Sequence, residues 1–309
     1  MQLALTLLAA WFVAAPPRPA TPSLHDAFDA AQCYKYTAEV TGFGMRQPGS
    51  PGHAKTEALA KQVVTRDGGQ FSTDDFIADS SRGKVPVHNL IGKFNVSKDP
   101  HQPIFILAGH YDTLFKPGFV GANDGGSSTA ILLSFADALH ATAAHPTKMQ
   151  IWLVWTDFEE AVTSFKDDDG LVGSRHLAKK LAAEGLVPRI KGFFLLDMIG
   201  DKDLNVDKES TSASWLQDFI ASAAAKLHYS QYFFQYSTEI IDDQKSFANV
   251  GIPVVDVVDA QFGPMCSGCD GMGKYHHTNQ DTMDKVSQHS LMVVGRTVLL
   301  AVEMLDAQQ

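Results

Sequence analysis

The sequence predicts an α/β fold in three layers, with a central mixed, mostly parallel β-sheet between two layers of helices. Short apolar runs of strand length alternate along the chain with longer segments whose apolar residues recur at helical spacing. This alternation is typical of a largely parallel sheet covered on both faces. In addition, polar side chains that can bind metals follow several of the apolar runs, and the carboxyl ends of the strands are where open α/β sheets bind their ligands.

The predicted strands are short and almost wholly apolar. Residues 87–94 and 104–108 form the first two, and residues 98–102 between them have the composition of a hairpin turn. The remaining predicted strands are residues 151–155, 193–196 and the apolar stretch 252–258.

The predicted helices lie between and around these strands. Residues 26–64 are helical in pattern at both ends, but residues 46–52 (Arg-Gln-Pro-Gly-Ser-Pro-Gly) contain too much Pro and Gly for a regular element. Residues 127–139 should form a core helix, and the two glycines before it allow close backbone approach at its start. Further helices are predicted over residues 174–183, 215–227 and 286–305. The pattern shows no internal repeat and no linker after residue 26, so residues 26–309 are expected to form one domain.

Size and charge narrow the classes of partner. The chain has 309 residues, a net charge of −10 and a pI of about 5.6. This acidic balance argues against nucleic acid and anionic membranes as partners. It favours cationic ligands such as peptides with a free amino terminus, although a solvated acidic surface is the alternative explanation for most of these charges.

The amino terminus has the pattern of an export signal. Residues 2–15 are almost wholly apolar but too short to span a bilayer. We therefore expect residues 1–20 to be a signal peptide or processed segment, and the protein to be secreted or periplasmic without stable membrane insertion. A lipid anchor or a buried N-terminal helix is the alternative, but no lipobox cysteine follows.

The chain has three cysteines. Cys266 and Cys269 are separated by two residues, which is the spacing of a zinc half-site, yet no second pair exists to complete it. A local disulfide is therefore predicted, which leaves Cys33 free.

Two candidate metal ligands are predicted at and after the second strand. His110 and Asp112 are spaced by two, so an extended backbone places both on one face, where the carboxylate can fix the imidazole tautomer. Asp124 lies in a Gly-rich loop, where it is either a metal ligand or a turn and cap residue. Taken alone, His110 and Asp112 are more typical of a polar strand end than of a metal site.

Glu159 and Glu160 follow the strand predicted at residues 151–155 and form the strongest local signal. Two adjacent ionised carboxylates at a buried strand end are costly unless a cation compensates one of them. Adjacent side chains also diverge, so one can bind metal while the other faces substrate as a general acid or base. A solvated loop is the alternative.

Other candidates lie further along the chain. Asp197 closes an apolar run and needs a partner if buried. His276 and His277 compete as one metal ligand, and Asp242 with Asp243 is a second acidic pair that is equally consistent with a solvated turn. A mixed set of histidines and carboxylates suits zinc.

Together these residues resemble the zinc aminopeptidase and glutaminyl cyclase family, from about residue 26 to the C-terminus. The ordered motifs that carry the resemblance are His110-x-Asp112, Gly-Ala-Asn-Asp124, Glu159-Glu160, Asp197-Met-Ile-Gly and His277-Thr278-x-x-Asp281-Thr282. The family's ligand histidine precedes Thr-x-x-Asp, so the resemblance assigns that position to His277 and not to His276.

The aminopeptidase branch of the family implies two zincs bridged by Asp124. One zinc would also take Asp197 and His277, and the other His110 and Glu160. In that branch Glu159 would activate water.

The glutaminyl cyclase branch implies a single zinc held by Asp124, Glu160 and His277. There Glu159 would move the proton during the reaction. Asp197 and Asp243 would line the pocket as further catalytic groups, and His110 and Asp112 would neighbour the metal.

Several segments look more like the cyclase branch. Residues 46–52 resemble its Arg-x-Pro-Gly-Ser-Pro-Gly motif, and twelve residues separate Glu160 from Gly173, as in the insertion that the cyclases carry. Phe165 and His276 occupy positions where the cyclases have tryptophans, so both are predicted to contact substrate. The resemblance implies conversion of N-terminal glutamine to pyroglutamate by a monomer that acts on peptides or proteins with a free N-terminus. A dizinc aminopeptidase and a non-catalytic binding domain of the same fold are the alternatives.

Overall fold

A computed structural model of the chain describes residues 22–163, 169–269 and 271–309. The expected signal segment, residues 1–20, and the predicted substrate-contacting Phe165 lie outside the described residues. None of the helices in the described ranges has the length and apolar character needed to cross a bilayer.

A central sheet organises the described residues, in the order β1-β2-β4-β3-β5-β8. Strand β3 is parallel to both β4 and β5, and β5 is parallel to β8, whereas β1 pairs with β2 and β2 with β4 antiparallel. A smaller sheet pairs β6 with β7 in parallel. The strands are β1 (Gln70–Ser80), β2 (Gly83–Phe94), β3 (Ile104–His110), β4 (Gln150–Thr156), β5 (Ile190–Asp197), β6 (Val206–Glu209), β7 (Phe233–Thr238) and β8 (Val254–Val258). The predicted central mixed, mostly parallel sheet is confirmed.

The predicted hairpin between β2 and β3 is wrong. A turn does form there, because the Gln102 amide donates to the Asp99 carbonyl at 3.2 Å. However, β4 lies between the two strands in the sheet, antiparallel to β2 and parallel to β3. The connection therefore leaves one strand position open between β2 and β3. Strand β4, which comes much later in the sequence, occupies that position.

Helices cover both faces of the sheet, as predicted. Alternate side chains of β3 point to opposite faces, so Phe105 and Leu107 pack with helices α1, α3 and α7, while Ile104 and Ile106 pack with α4 and α6. The helices are α1 (Ala30–Gly42), α2 (Pro51–Arg66), α3 (Gly126–Ala141), α4 (Val172–Ala183), α5 (Ser214–Lys226), α6 (Gln244–Ala248) and α7 (Gln288–Asp306).

Residues 46–52 were predicted to contain no regular element, but helix α2 begins within them, at Pro51. The Ser50 hydroxyl accepts a hydrogen bond from the His53 amide and caps the helix, and Pro51 occupies the first position, where its missing N–H costs nothing. The Pro-Gly segment therefore starts a helix at Pro51 instead of separating two elements entirely.

The local disulfide predicted from the cysteine spacing is present. Cys266 and Cys269 are bonded, and Cys33 is a free, buried thiol in α1. The bonded pair lies in the loop that connects β8 to the segment containing His276 and His277.

Candidate active site

The strand ends place the predicted site residues at one edge of the sheet. His110 is the last residue of β3 and Asp197 the last residue of β5, while Glu159 and Glu160 follow the end of β4. Asp124 lies in the loop just before α3, whose cap residue is a left-handed glycine. Because β3, β4 and β5 are parallel neighbours, their carboxyl ends bring these side chains together.

Asp124 stands between two histidines. The His110 Nε2 atom lies 3.1 Å from Asp124 Oδ1 and 3.2 Å from Asp197 Oδ1. On the other side, His277 Nε2 lies 3.4 Å from Asp124 Oδ2 and 3.1 Å from Glu160 Oε2. The predicted ligands therefore converge around a single carboxylate.

Several buried oxygens at this point lack hydrogen bonds. Asp124 Oδ2 and both carboxylate oxygens of Glu160 have no hydrogen-bond partner within the described part of the chain. Buried polar atoms are normally satisfied, and buried carboxylates without donors are costly. A cation would satisfy these oxygens, and the nitrogen and oxygen donors present suit zinc.

Two triads have ligand atoms close enough to share an ion. In each, the atoms lie within 4.8 Å of one another: His110, Asp124 and Asp197 in one, and Asp124, His276 and His277 in the other. The His276 and His277 rings stack at 3.8 Å. His276 therefore lies beside the site, and geometry alone does not separate it from His277 as a donor.

The electrostatics of the carboxylates reflect their burial and neighbours. Burial alone would raise the pKa of Asp124, but the His110 hydrogen bond and the His277 charge hold it well below its usual range. Burial and the Asp124 charge raise the pKa of Glu160 to about 7. Burial and the charge of Asp242 raise the pKa of Glu159 well above its ordinary value. A carboxyl whose pKa is raised toward neutrality suits a group that must both accept and release a proton.

Asp112 has a larger structural role than its predicted one beside His110. Its Oδ1 and Oδ2 accept hydrogen bonds from the amides of Glu159 (3.1 Å) and Glu160 (3.3 Å). Its distance to His110 Nδ1 is 3.5 Å. Asp112 therefore fixes the backbone of the glutamate pair, and through it the directions of both side chains.

Further buried acids lie behind Glu159. Asp243 accepts a hydrogen bond from the Thr156 hydroxyl, and burial raises its pKa to about 6. Asp242 is also buried, and burial with the charge of Asp197 raises its pKa well above the ordinary value. These two residues therefore do not lie in the solvated turn that was the alternative explanation for them.

Asp256 is a buried acid that the sequence analysis missed. It lies in β8, fully buried, and neither carboxylate oxygen has a hydrogen-bond partner among the described residues. Burial and the charge of Asp242 raise its pKa well above the ordinary value. An acid inside the run Val-Val-Asp-Val-Val is the same signal that singled out Asp197, so it was detectable.

Arg46 is a second residue whose role was missed. Its fully buried guanidinium donates through Nε to the Tyr111 carbonyl (3.0 Å), and through Nη1 and Nη2 to the carbonyls of Val120 (2.6 Å) and Gly121 (2.8 Å). Burial lowers its pKa to about 10. Arg46 thereby fastens the loop that carries Asp124, a role that its position at the start of the Arg-x-Pro-Gly-Ser-Pro-Gly motif did not predict.

Strained backbone conformations surround the site. Phe158, Met198 and His277 have left-handed φ angles of 54°, 50° and 52°. Such conformations are costly for non-glycine residues and concentrate at functional sites. Lys116 Nζ donates to the His277 carbonyl at 2.8 Å, which helps to hold that residue.

The strands and the buried ligands together define a class: an α/β protein with a metal-competent site at the carboxyl edge of its sheet. Comparison with known proteins agrees. Residues 89–302 match peptidase family M28. A solved glutaminyl cyclase from an Acidobacteriales bacterium is 37% identical, with a TM-score of 0.84, and the match covers 96% of this chain and 99% of that one. A Zn-dependent exopeptidase from Parabacteroides distasonis is 27% identical with a TM-score of 0.76, covering 91% and 98%.

The chain belongs to peptidase family M28. This confirms the resemblance predicted from the ordered motifs. Among curated proteins, the Drosophila melanogaster glutaminyl-peptide cyclotransferase is 28% identical over 205 residues, which are 59% of this chain and 57% of that protein. The match thus spans little more than half of that relative's length.

Proposed function

We propose that the chain is a zinc-dependent glutaminyl-peptide cyclotransferase, which converts the N-terminal glutamine of peptides to pyroglutamate and releases ammonia. The observation that supports the proposal is that the groups on the two sides of Asp124 differ in their hydrogen bonding. His110 and Asp197 approach each other at 3.2 Å on one side, whereas the oxygens of Glu160 and Asp124 Oδ2 lack hydrogen bonds on the side of His277. Asp124, Glu160 and His277 would hold one zinc there.

Zinc held by these residues would supply a Lewis acid for the γ-carbonyl of the substrate glutamine. The protein's own groups would carry the proton transfer. The α-amino nitrogen forms a bond to the γ-amide carbon, the carbon–nitrogen bond of the amide breaks, and ammonia leaves. Glu159 accepts the proton from the α-amine and delivers it to the departing nitrogen, so no proton is gained or lost overall.

The surrounding acids support this role for Glu159. Burial raises the pKa of Glu159, the charge of Asp242 raises it further, and Asp197 and Asp243 lie in the same acidic environment. We propose that Asp197 and Asp243 form an acidic network that stabilises this proton transfer. His276, stacked on His277, would form part of the wall around the glutamine side chain, together with Phe165.

Dizinc aminopeptidase action is the second candidate, and one observation favours it. His110, Asp124 and Asp197 offer ligand atoms within 4.8 Å of one another, which is enough for a second ion that shares Asp124. The similarity to a Zn-dependent exopeptidase points the same way. In this case Glu159 would activate a water molecule instead of an amine.

A paired substrate assay separates the two functions. Purified protein is incubated with a glutamine-initiated peptide and with a leucine-initiated peptide of otherwise equal sequence. The proposal predicts ammonia and a pyroglutamyl peptide from the first and no cleavage of the second. Release of free leucine without cyclisation of the glutamine peptide would establish the aminopeptidase instead.

We also propose that the protein is exported, acts as a monomer and uses residues 26–309 as one catalytic domain. The apolar segment 2–15 supports export, as does the Cys266–Cys269 disulfide, since disulfides persist in oxidising compartments. Cell fractionation tests the first point and light scattering during gel filtration tests the second.

A further inference from the structure

A buried carboxylate beside the candidate active site holds the backbone of one proposed zinc ligand. Asp281, which lies four residues after His277, is only 1% exposed. One of its oxygens accepts a hydrogen bond from the amide of Asn123 at 2.8 Å, and the other accepts from the amide of Asp124 at 3.0 Å. The Asp281 side chain therefore contacts the loop that carries Asp124, and the proposed reaction assigns it no role.

Asp112 holds the other acidic ligand in the same way. Its two oxygens accept hydrogen bonds from the consecutive amides of Glu159 and Glu160, at 3.1 Å and 3.3 Å. In both places one carboxylate accepts from two consecutive backbone amides, and the second amide of each pair belongs to a proposed zinc ligand. Paired hydrogen bonds to a carboxylate fix geometry, and here they fix the direction in which the ligand side chain leaves the backbone. Asp281 is therefore placed to do for Asp124 what Asp112 does for Glu160.

Asp281 also belongs to the segment that supplies a third proposed ligand, His277. The Asp281 amide donates to the Thr278 carbonyl at 3.0 Å, and the Thr278 amide donates to the Tyr275 carbonyl at 3.2 Å, so successive turns link Asp281 to His277. One segment thus provides the His277 imidazole and, four residues later, the carboxylate that holds Asp124. The positions of these two ligands are coupled through Asp281.

The loop that carries Asp124 is fastened on its other side through Asn123. The Asn123 side chain donates from Nδ2 to the Met198 carbonyl (3.1 Å) and accepts at Oδ1 from the Gly200 amide (2.7 Å), just beyond the end of β5. The backbone around Asp124 is thus held from two directions, whereas the Asp124 Oδ2 atom has no hydrogen-bond partner among the described residues. A fixed backbone with an unsatisfied carboxylate is the arrangement expected of a metal ligand whose direction is set before the ion binds.

We infer that Asp281 is a positioning residue of the metal site, which sets the direction of the Asp124 carboxylate before metal binds and so raises the affinity for zinc. A ligand that is already fixed loses little conformational freedom on binding. The inference rests on the proposed function only in placing zinc on Asp124, and it applies whether that zinc serves cyclisation or hydrolysis.

The zinc affinity of Asp281→Asn tests the inference. Asparagine has the same size but only one acceptor oxygen, and its NH2 group would face one of the two backbone amides. Dissociation constants are measured by chelator competition at pH 8, because burial raises the pKa of Asp281 to about 7 and the carboxylate is ionised above that value. We expect roughly 10–100-fold weaker zinc binding than in the wild type. Asp284→Asn, at an exposed position in the same segment, is the matched control and should bind zinc like the wild type.

Cobalt substitution separates positioning from a contribution to folding alone. The d–d absorption of bound Co²⁺ depends on the geometry of its ligands. Asp281→Asn should therefore change the position or intensity of the band, while Asp284→Asn should keep the wild-type spectrum. A lower unfolding midpoint of Asp281→Asn with unchanged zinc affinity and an unchanged cobalt spectrum would overturn the inference, because Asp281 would then only stabilise the fold.

Amide hydrogen exchange of the metal-free wild type tests the same point if Asp281→Asn does not fold. The amides of Asn123 and Asp124 should exchange much more slowly than those of the exposed residues 265–268. Equally fast exchange would mean that the loop is not held before metal binds, and the inference would be wrong. The proposed function fails separately, if the zinc-loaded wild type does not cyclise a glutamine-initiated peptide, because none of these measurements depends on turnover.

Discussion

Arg46 and Glu160 are both buried ionisable residues near Asp124, but they differ in how the protein satisfies their polar groups. Arg46 donates to the carbonyls of Tyr111, Val120 and Gly121, so its cost of burial is offset by the protein's own backbone. Glu160 accepts no hydrogen bond at either carboxylate oxygen within the described residues, although His277 Nε2 lies 3.1 Å from its Oε2, as a second ligand of a shared ion would. The contrast indicates that Arg46 stabilises the folded chain by itself, whereas the carboxylate of Glu160 needs a bound cation to compensate its burial.

The largest expected effect separates Glu160 from its neighbour Glu159. Glu159→Gln should keep its zinc and lose turnover by roughly 10²–10⁴-fold, because it removes a base and not a ligand. Glu160→Gln should lose zinc as well as activity. Metal analysis of the purified variants beside kcat measurements checks both, with Glu184→Gln on the surface as the control. Retention of zinc by Glu160→Gln, or its loss from Glu159→Gln, would reverse the assignment of roles.

Substitution of Arg46, the other buried charge, should lower the stability of the folded protein. Arg46→Met keeps a long side chain but leaves several buried carbonyls without donors, each costing about 1–3 kcal/mol. We expect the free energy of unfolding to fall by about 3 kcal/mol or more. Denaturant titration of the metal-free proteins measures this, because the change should persist without zinc. An unchanged midpoint would mean that water replaces the guanidinium and that Arg46 does not hold the loop.

Removing zinc should destabilise the wild-type protein through Glu160. A ligand at 100 times its Kd contributes about 2.7 kcal/mol to the folded state. Burial raises the pKa of Glu160 to about 7 in the absence of metal, so the metal-free protein is stabilised by protonation at low pH and loses that stability as pH rises through 7. Chelation should therefore lower Tm more at pH 8 than at pH 6. In Glu160→Gln the metal-free Tm should fall less steeply between pH 6 and pH 8, with the remaining slope due to other buried acids such as Asp281, whose pKa burial raises to about 7. An equal slope in both proteins would argue against this role of Glu160.

The smallest expected effect concerns a buried network whose polar groups are already paired with one another. His53 Nε2 lies 2.8 Å from Asp157 Oδ1, and its Nδ1 lies 3.2 Å from Glu57. Burial opposes the charged imidazole, but the charge and hydrogen bond of Asp157 raise the pKa of His53 above its ordinary value. Stability from this pair is fully present below about pH 6.5 and is lost as pH rises through the folded-state pKa.

His53→Gln tests this network. The substitution keeps a donor but no titration, so its destabilisation, roughly 1 kcal/mol, should be larger at pH 5.5 than at pH 8.5. Urea midpoints at the two pH values measure the difference. A destabilisation that is the same at both values would show that His53 stays neutral in the folded protein.

The parts of the structure that depend on local pattern were predictable. The strands that end at His110 and Asp197 are continuous apolar runs, and acids at the ends of such runs are conspicuous. Strand β1 was missed because its sequence is polar and mostly exposed, so it lacks the alternation that marks a half-buried strand. The insertion of β4 between β2 and β3 was missed because strand order is set by contacts far apart in sequence.

The same limit applies within the site. Sequence spacing identified Asp112 as a neighbour of His110, but its hydrogen bonds to the amides of Glu159 and Glu160 depend on two strand ends meeting in space. The burial of Arg46 likewise depends on the loop around Val120 folding over it. Such roles follow from tertiary contacts, which no local pattern encodes.

Zinc titration of the metal-free enzyme, with ammonia release from a glutamine peptide as the readout, tests the central claim most directly. If Asp124, Glu160 and His277 hold one zinc for cyclisation, activity should rise linearly and reach its plateau at one zinc per chain. A plateau only at two zincs per chain, accompanied by release of leucine from a leucine-initiated peptide, would contradict the claim and establish the dizinc aminopeptidase.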